Sequence, residues 1–310
     1  MEKNSKIYVA GHNGLLGSSI VRILKKEGFN NLLFKTKSEL DLREQKLVRY
    51  FFNKEKPDYV FLAAAKVGGL QANNTYKADF IYDNLQIQSN IIDSAFRAKT
   101  KKLLFIASNC MYPKNCGQPF KEEQILTGKL EPTNEPFAIA KIAGIKMCEA
   151  YNFQHKTNFI SIIPASIYGP WDNYIDGESH IVPDLIKKLY NAKISGLKKI
   201  IISGNSKRKR EMIYVDDVAN ACLFLMKNYS SSKPINAGYG EDFTVEEIAE
   251  KIKKIVGFEG EIEFDGSKPS GMIRKILGSS KITSLGWKSQ INFEEGLKKS
   301  YSWFLNNVFK

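Results

Sequence analysis

The sequence predicts an α/β protein, a doubly wound parallel sheet carrying a smaller α/β lobe. Three observations support this. Apolar runs of strand length alternate with stretches of helical periodicity through residues 1–165. A glycine-rich loop joins the first run to the first helix. After Pro164 the alternation loses its regularity, and Gly, Pro, Asn and Asp separate shorter elements. We therefore expect residues 1–165, with returns near 211–237, to form the sheet domain, and residues 166–210 and 238–310 to form the lobe.

Residues 6–10 form a short apolar strand that runs into glycines, and the apolar spacing over 15–26 predicts the first helix. Residues 32–34 supply the second strand and 43–53 a helix, after which Pro57 and Asp58 lead into a strand over 59–63. A helix over 81–98 and a buried strand over 102–107 follow. Pro113, Gly117, Pro119, Gly128 and Pro132 punctuate a long polar connection to a helix over 135–151 and a strand over 158–163. Strands separated by helices imply a parallel sheet covered on both faces. Further on, helices are expected near 182–192, 216–227 and 245–256, and strands near 199–203 and over 261–264. A final amphipathic helix is expected over 293–306.

At 310 residues the chain exceeds a single domain of ~150 residues. Hydrophobic residues at 43% and charged residues at 25% give ordinary globular composition and exclude a disordered or fibrous chain. The longest wholly apolar run, 59–65, is far shorter than the ~20 residues of a membrane helix. The charged start, with Gly11 close behind, is no signal peptide, so a cytoplasmic protein is expected. Cys110, Cys116, Cys148 and Cys222 show no metal-ligand spacing and are too few for a disulfide scaffold, so reduced thiols and no metal are expected. The net charge is +13, yet the cations scatter over helical faces and only Lys207-Arg208-Lys209-Arg210 forms a tight run. No aromatic-basic signature accompanies that run, so a solvated lysine-rich surface, or a nucleoside diphosphate ligand, accounts for the charge better than nucleic acid.

The loop Gly11-His12-Asn13-Gly14-Leu15-Leu16-Gly17 has the spacing of a dinucleotide-binding turn, as in Rossmann-type folds. Its first glycine permits the tight turn, its second lets a pyrophosphate approach the backbone, and its third lets helix pack on strand. The helix start then offers free N–H groups to phosphate. The second strand ends Phe34-Lys35-Thr36-Lys37, without the carboxylate that holds the ribose of NAD. Lys35 and Lys37 suit a 2′-phosphate, which favours NADP(H); the competing view is that both merely face solvent.

Longer strings carry a resemblance. They are Ala63-Ala64-Ala65-Lys66-Val67-Gly68-Gly69, Ala72-Asn73-Asn74-Thr75-Tyr76, Glu131-Pro132-Thr133-Asn134-Glu135-Pro136 with Ala138-Ile139-Ala140-Lys141, and Ser267-Lys268-Pro269 with Gly271 and Arg274-Lys275. On them the chain resembles the extended short-chain dehydrogenase/reductases over essentially its whole length. Within that group it is similar to the GDP-L-fucose synthase family, the GDP-4-keto-6-deoxy-mannose 3,5-epimerase/4-reductases. The resemblance implies an NADPH-dependent C4 reduction of a GDP-4-keto sugar and a homodimer. It places the reductase Ser and Lys at Ser108 and Lys141, and the epimerase pair at Cys110 and His180. It also assigns Asp41, Leu42, Ala63, Ala64, Ala65, Pro164, Ile167 and His180 to the cofactor, and Asn109, Lys188, Arg210, Lys268 and Arg274, with Ser108 and Cys110, to the substrate.

The family's tyrosine position is Phe137, one helical turn before Lys141. Phenylalanine keeps the ring and loses the only proton. An introduced Tyr→Phe substitution, a silent family member, and a reaction rerouted through Tyr112 or water all remain open. The sugar end also departs from the pattern. Ala165-Ser166-Ile167 stands for Thr-Asn-Leu, residues 171–177 lack the usual Phe-His-Pro, and Ser203 replaces a tryptophan. A GDP-4-keto heptose of capsule assembly is therefore a candidate substrate beside the hexose. The alternatives are an NAD-dependent nucleotide-sugar dehydratase or 4-epimerase, and a catalytically silent NADPH-binding protein.

Overall fold

The computed structural model describes residues 1–267 and 271–309. Six parallel strands make the main sheet, in the order β2 (Leu32–Leu33), β1 (Ile7–Ala10), β3 (Tyr59–Leu62), β4 (Lys102–Ile106), β5 (Phe159–Pro164) and β9 (Ile235–Ala237). Every residue of β1, β4 and β5 is buried, as expected of strands covered on both faces. On one side α1 (Leu15–Lys26) packs against α7 (Val215–Asn228); separately, α2 (Gln45–Glu55), α4 (Lys77–Arg97) and α5 (Glu135–His155) pack in sequence. A short helix, α3 (Leu70–Thr75), precedes α4. The order reverses at β1, whose neighbours are β2 and β3, so a crevice opens outside its carboxyl end.

The lobe is built on β8 (Lys209–Tyr214), flanked by β6 (Ser166–Tyr168), β10 (Asp242–Thr244) and β12 (Arg274–Lys275). A separate pair joins β7 (Lys199–Ser203) to β11 (Glu261–Asp265). Around them lie α6 (Ile181–Ile194), α8 (Val245–Val256), α9 (Ser280–Ser284) and α10 (Phe293–Asn307). Two buried charged groups brace the molecule from within, one in the sheet domain and one in the lobe. Lys102 at the start of β4 donates to the carbonyls of Leu225 and Met226 near the end of α7, which favours a cation there. Glu211 in β8 accepts from the N–H groups of Gly240 and Leu277, and burial pushes its carboxyl up to about 7.

No described helix is long and apolar enough to cross a membrane. Some bounds differ from the sequence expectation. The helix expected over 81–98 begins at Lys77, and that expected over 135–151 runs on to His155. Strands β6, β8, β9, β10 and β12 were not anticipated. All but β8 are three residues or fewer, too short for periodicity to register, and β8 opens with three charged residues.

Candidate active site

The glycine loop leaves the carboxyl end of β1 and turns into α1. Gly11 has φ +82°, and a Cβ there would lie 2.7 Å from the backbone nitrogen of Ala64. A Cβ on Gly17 would lie 2.0 Å from the carbonyl oxygen of Gly11. Gly14 meets nothing closer than 3.5 Å and caps α1 with no side chain bonded to the helix end. The loop is therefore a backbone-lined cradle whose helix start is free for an anion. Beside it His12 stacks on Phe34 at 5.1 Å, with its Nδ1 buried and unpartnered among the described residues. Burial holds the His12 imidazole below its usual pKa.

Farther along, Lys35 pairs with Glu39 at 3.1 Å, while Lys37 is exposed and forms no ion pair among the described residues. Asp41 is clamped by Arg43, whose Nη2 lies 2.6 Å from Oδ2. Leu42 lends its carbonyl to Asn90. Ala63, Ala64 and Ala65 follow β3, and Pro164 ends β5 beside Ala237. Ile167 lies in β6, in register with Ile213.

The residues expected to carry the reaction gather at the carboxyl end of β4. Ser108 extends from that strand into a 3-10 turn, Asn109–Met111, and its Oγ accepts from the Cys110 N–H at 3.4 Å. Lys141, reaching across from α5, donates to the Ile106 carbonyl at 2.9 Å. Its ammonium lies 5.8 Å from the Phe137 ring centroid, and that ring meets Phe80 edge-on at 6.1 Å. Burial brings Lys141 down to about 8.

Cys110 is buried, which pushes its thiol up; the Lys275 ammonium, the Ser108 hydroxyl and Lys141 pull the other way. His180 immediately precedes α6. It stays open to solvent while protein surrounds it, as on the floor of a cleft, and this setting together with Lys275 lowers its imidazole. The pair is thus biased toward thiol and neutral imidazole.

Tyr112 is not the substitute donor that the sequence left open. Its hydroxyl donates to Asn236 at 2.6 Å, its ring stacks on Phe120, and the side chain is fully buried with its pKa driven well above the usual phenol value.

Of the basic substrate candidates among the described residues, Arg210 is the most enclosed. Its guanidinium donates to the carbonyls of Lys209 at 2.7 Å and Met272 at 2.9 Å, and burial lowers it to about 10. Lys188 pairs with Asp184 at 2.7 Å, and Arg274 pairs with Asp242 in an exposed contact. Lys268 lies outside the described residues.

Sequence reading passed over Lys275 in favour of its neighbour. Successive strand residues face opposite ways, so Arg274 and Lys275 cannot share a face. Lys275 stands in register with Arg210, and burial beside Arg210 lowers it to about 8. The alternation rule was the available signal, but choosing the inward residue required knowing the partner strand.

Comparison with known proteins gives a consistent picture. A model of the NAD dependent epimerase/dehydratase family matches residues 7–238. GDP-L-fucose synthase 1 of Arabidopsis thaliana is 51% identical over 307 residues, covering 99% of this chain and 95% of that protein. Among solved structures, a GDP-6-OMe-4-keto-L-xylo-heptose reductase from C. jejuni superposes with a TM-score of 0.94 at 40% identity, over 99% of both chains. A GDP-mannoheptose C4 reductase from Campylobacter jejuni with NADP bound superposes with a TM-score of 0.89 at 41% identity, covering 98% of this chain and 99% of that one.

Proposed function

Because the chain belongs to the NAD dependent epimerase/dehydratase family, we propose that it reduces the C4 ketone of a GDP-linked 4-keto deoxy sugar with NADPH. The observation that carries this reading is the convergence of Ser108, Lys141 and the Phe137 ring at the carboxyl end of β4. The glycine loop fits a dinucleotide: Gly11 and Gly17 let backbone close on backbone, and Gly14 with the uncapped start of α1 leaves an open face for a pyrophosphate. When bound, NADPH supplies hydride for C4. Lys141 orients the ribose hydroxyls, and Ser108 donates a hydrogen bond to the ketone oxygen. Cys110 and His180 can move protons at the carbons flanking the ketone, whose C–H bonds it acidifies. Likeness to heptose reductases makes a 4-keto heptose the first substrate to test.

Phe137 keeps the packing of the family's tyrosine and supplies no proton. The chain as it stands therefore binds substrate and reduces it slowly. General acid catalysis contributes about 10²–10⁴-fold, so Phe137→Tyr should raise NADPH consumption by that order. Equal rates for the two forms would refute the assigned role.

A homodimer is part of the same reading. Tyr82 on α4 and Ile139 and Phe153 on α5 are exposed at 60%, 43% and 83%, which gives these adjoining helices apolar surface for a second copy. Sedimentation of the whole chain tests it, and a monomer at micromolar concentration would refute it.

A further inference from the structure

The tight basic run divides between the surface and the interior. Lys207 points to the surface and pairs with Glu246 at 2.8 Å. Arg208 in the turn just before β8 and Arg210 within it lie close enough for the charge of Arg208 to bear on Arg210 and for both to feel Glu131. Arg210 is occupied by backbone carbonyls. Arg208 is not: its Nε and Nη1 are buried and have no hydrogen-bond partner among the described residues. A methyl group at Gly271 would lie 3.8 Å from that Nη1 and 3.9 Å from Thr133 Oγ1, so the fork sits between β12's approach and the loop leading to α5.

Three cations, Arg208, Arg210 and Lys275, thus share one region with a single carboxylate, Glu131, which already faces Lys114 at 3.2 Å. Buried donors without acceptors and clustered like charges both disfavour this arrangement unless an anion completes it. Lys275 reaches Cys110 on one side and Arg210 on the other, so the cations lead away from the reaction centre. In a GDP-sugar the diphosphate sits on C1, across the ring from the C4 ketone, and carries at least one negative charge on each phosphate, so a sugar with its ketone at Ser108 would send that charge away from the reaction centre.

We propose that Arg208 is a substrate-binding and specificity-determining residue, whose free guanidinium edge takes the substrate diphosphate beside Arg210 and Lys275. The inference rests on the GDP-sugar reading and adds a contact to it.

The test is calorimetric titration of the full chain with GDP and with guanosine, for the unmodified protein and for Arg208→Gln, Arg208→Lys and Lys207→Gln. One charge-assisted bond to phosphate corresponds to about tenfold to hundredfold in affinity. Arg208→Gln should weaken GDP by that factor and leave guanosine and NADPH binding unchanged. Arg208→Lys should recover part of the loss, and the outward-facing Lys207→Gln should lose nothing beyond about twofold from general charge. Retained NADPH binding shows that each variant is folded. If the unmodified protein binds GDP and Arg208→Gln binds it equally well, the role of Arg208 is overturned while the substrate reading stands. If the unmodified protein binds no GDP, both fall.

Discussion

The cofactor end and the substrate end of this molecule are built by opposite means. Around the glycine loop the shape is fixed by what is missing: two absent side chains let backbone approach backbone, and no polar side chain completes the start of α1. Around β8 the shape is fixed by what is in excess, three cations with too few anions to match. The first arrangement is complete by sterics alone and tolerates little change. The second is held by the strand ladder against its own like-charge repulsion and is open to adjustment by pH, salt and ligand.

The largest effect should come from the steric end. Gly17→Ala places a methyl 2.0 Å from a carbonyl oxygen that cannot move without shifting β1's exit. Overpacking of that kind costs about 1–3 kcal/mol and should deform the cradle, so NADPH affinity should fall by about two orders of magnitude. Fluorescence titration with NADPH reads it, and an unchanged constant would mean that the cradle does not hold the cofactor.

The charged end should instead respond to pH. In the free protein Lys275 titrates at about 8, and an adjacent diphosphate would raise that value. Below about 8 the ammonium is present with or without ligand, and affinity for GDP should be flat. Above it, binding must take up a proton, so affinity should fall by up to about tenfold per pH unit. A GDP affinity that rises between pH 8 and 9 would contradict the placement of Lys275.

A middle case joins the two ends. Cys110→Ser should abolish solvent deuterium uptake at the carbons beside the ketone, if this protein epimerises, while leaving C4 reduction within about tenfold. Mass spectrometry of the recovered sugar measures it; equal uptake by the two forms would remove Cys110 from proton transfer.

The smallest effect concerns cofactor choice. Lys35 is already shared with Glu39, so Lys35→Ala should cost NADPH less than Lys37→Ala does. Each change should be within about tenfold, the scale of one exposed charged contact. The reverse order in titrations would show that Glu39 releases Lys35 to the 2′-phosphate.

The same contrast explains what could be read from the sequence. Helices α1 and α8 and strand β7 match the expected bounds, because amphipathic spacing and, for α8, the Thr244–Glu247 capping box and Gly257 are local signals. Strand β9 completes the main sheet with three residues, and nothing within Ile235–Ala237 announces it; it exists because β5 offers a free edge. The glycine loop was legible for the same local reason, whereas Ser108 and Lys141 were singled out only through the family resemblance. Lys275 was not legible, because which face of a short strand turns inward is decided by the neighbour across the ladder, and Arg208 was not, because only the folded packing around the turn before β8 buries its guanidinium.

A contact between the loop after β3 and the segment before α6 ties the two ends together. Gly69, just before α3, donates its N–H to the Glu178 carbonyl at 2.7 Å, and a Cβ on Gly69 would fall 2.1 Å from the Ser179 oxygen. The segment carrying His180 therefore belongs to the lobe by chain order and to the sheet by attachment. It is latched to the loop that leaves β3, with no room for a side chain between them. Were the lobe to swing on its connections, His180 would travel with the nicotinamide side of the crevice and not with the cations of β8. In the proposed reaction this would keep His180 with the cofactor side of the crevice, while the lobe alone adapts to the length of the nucleotide sugar.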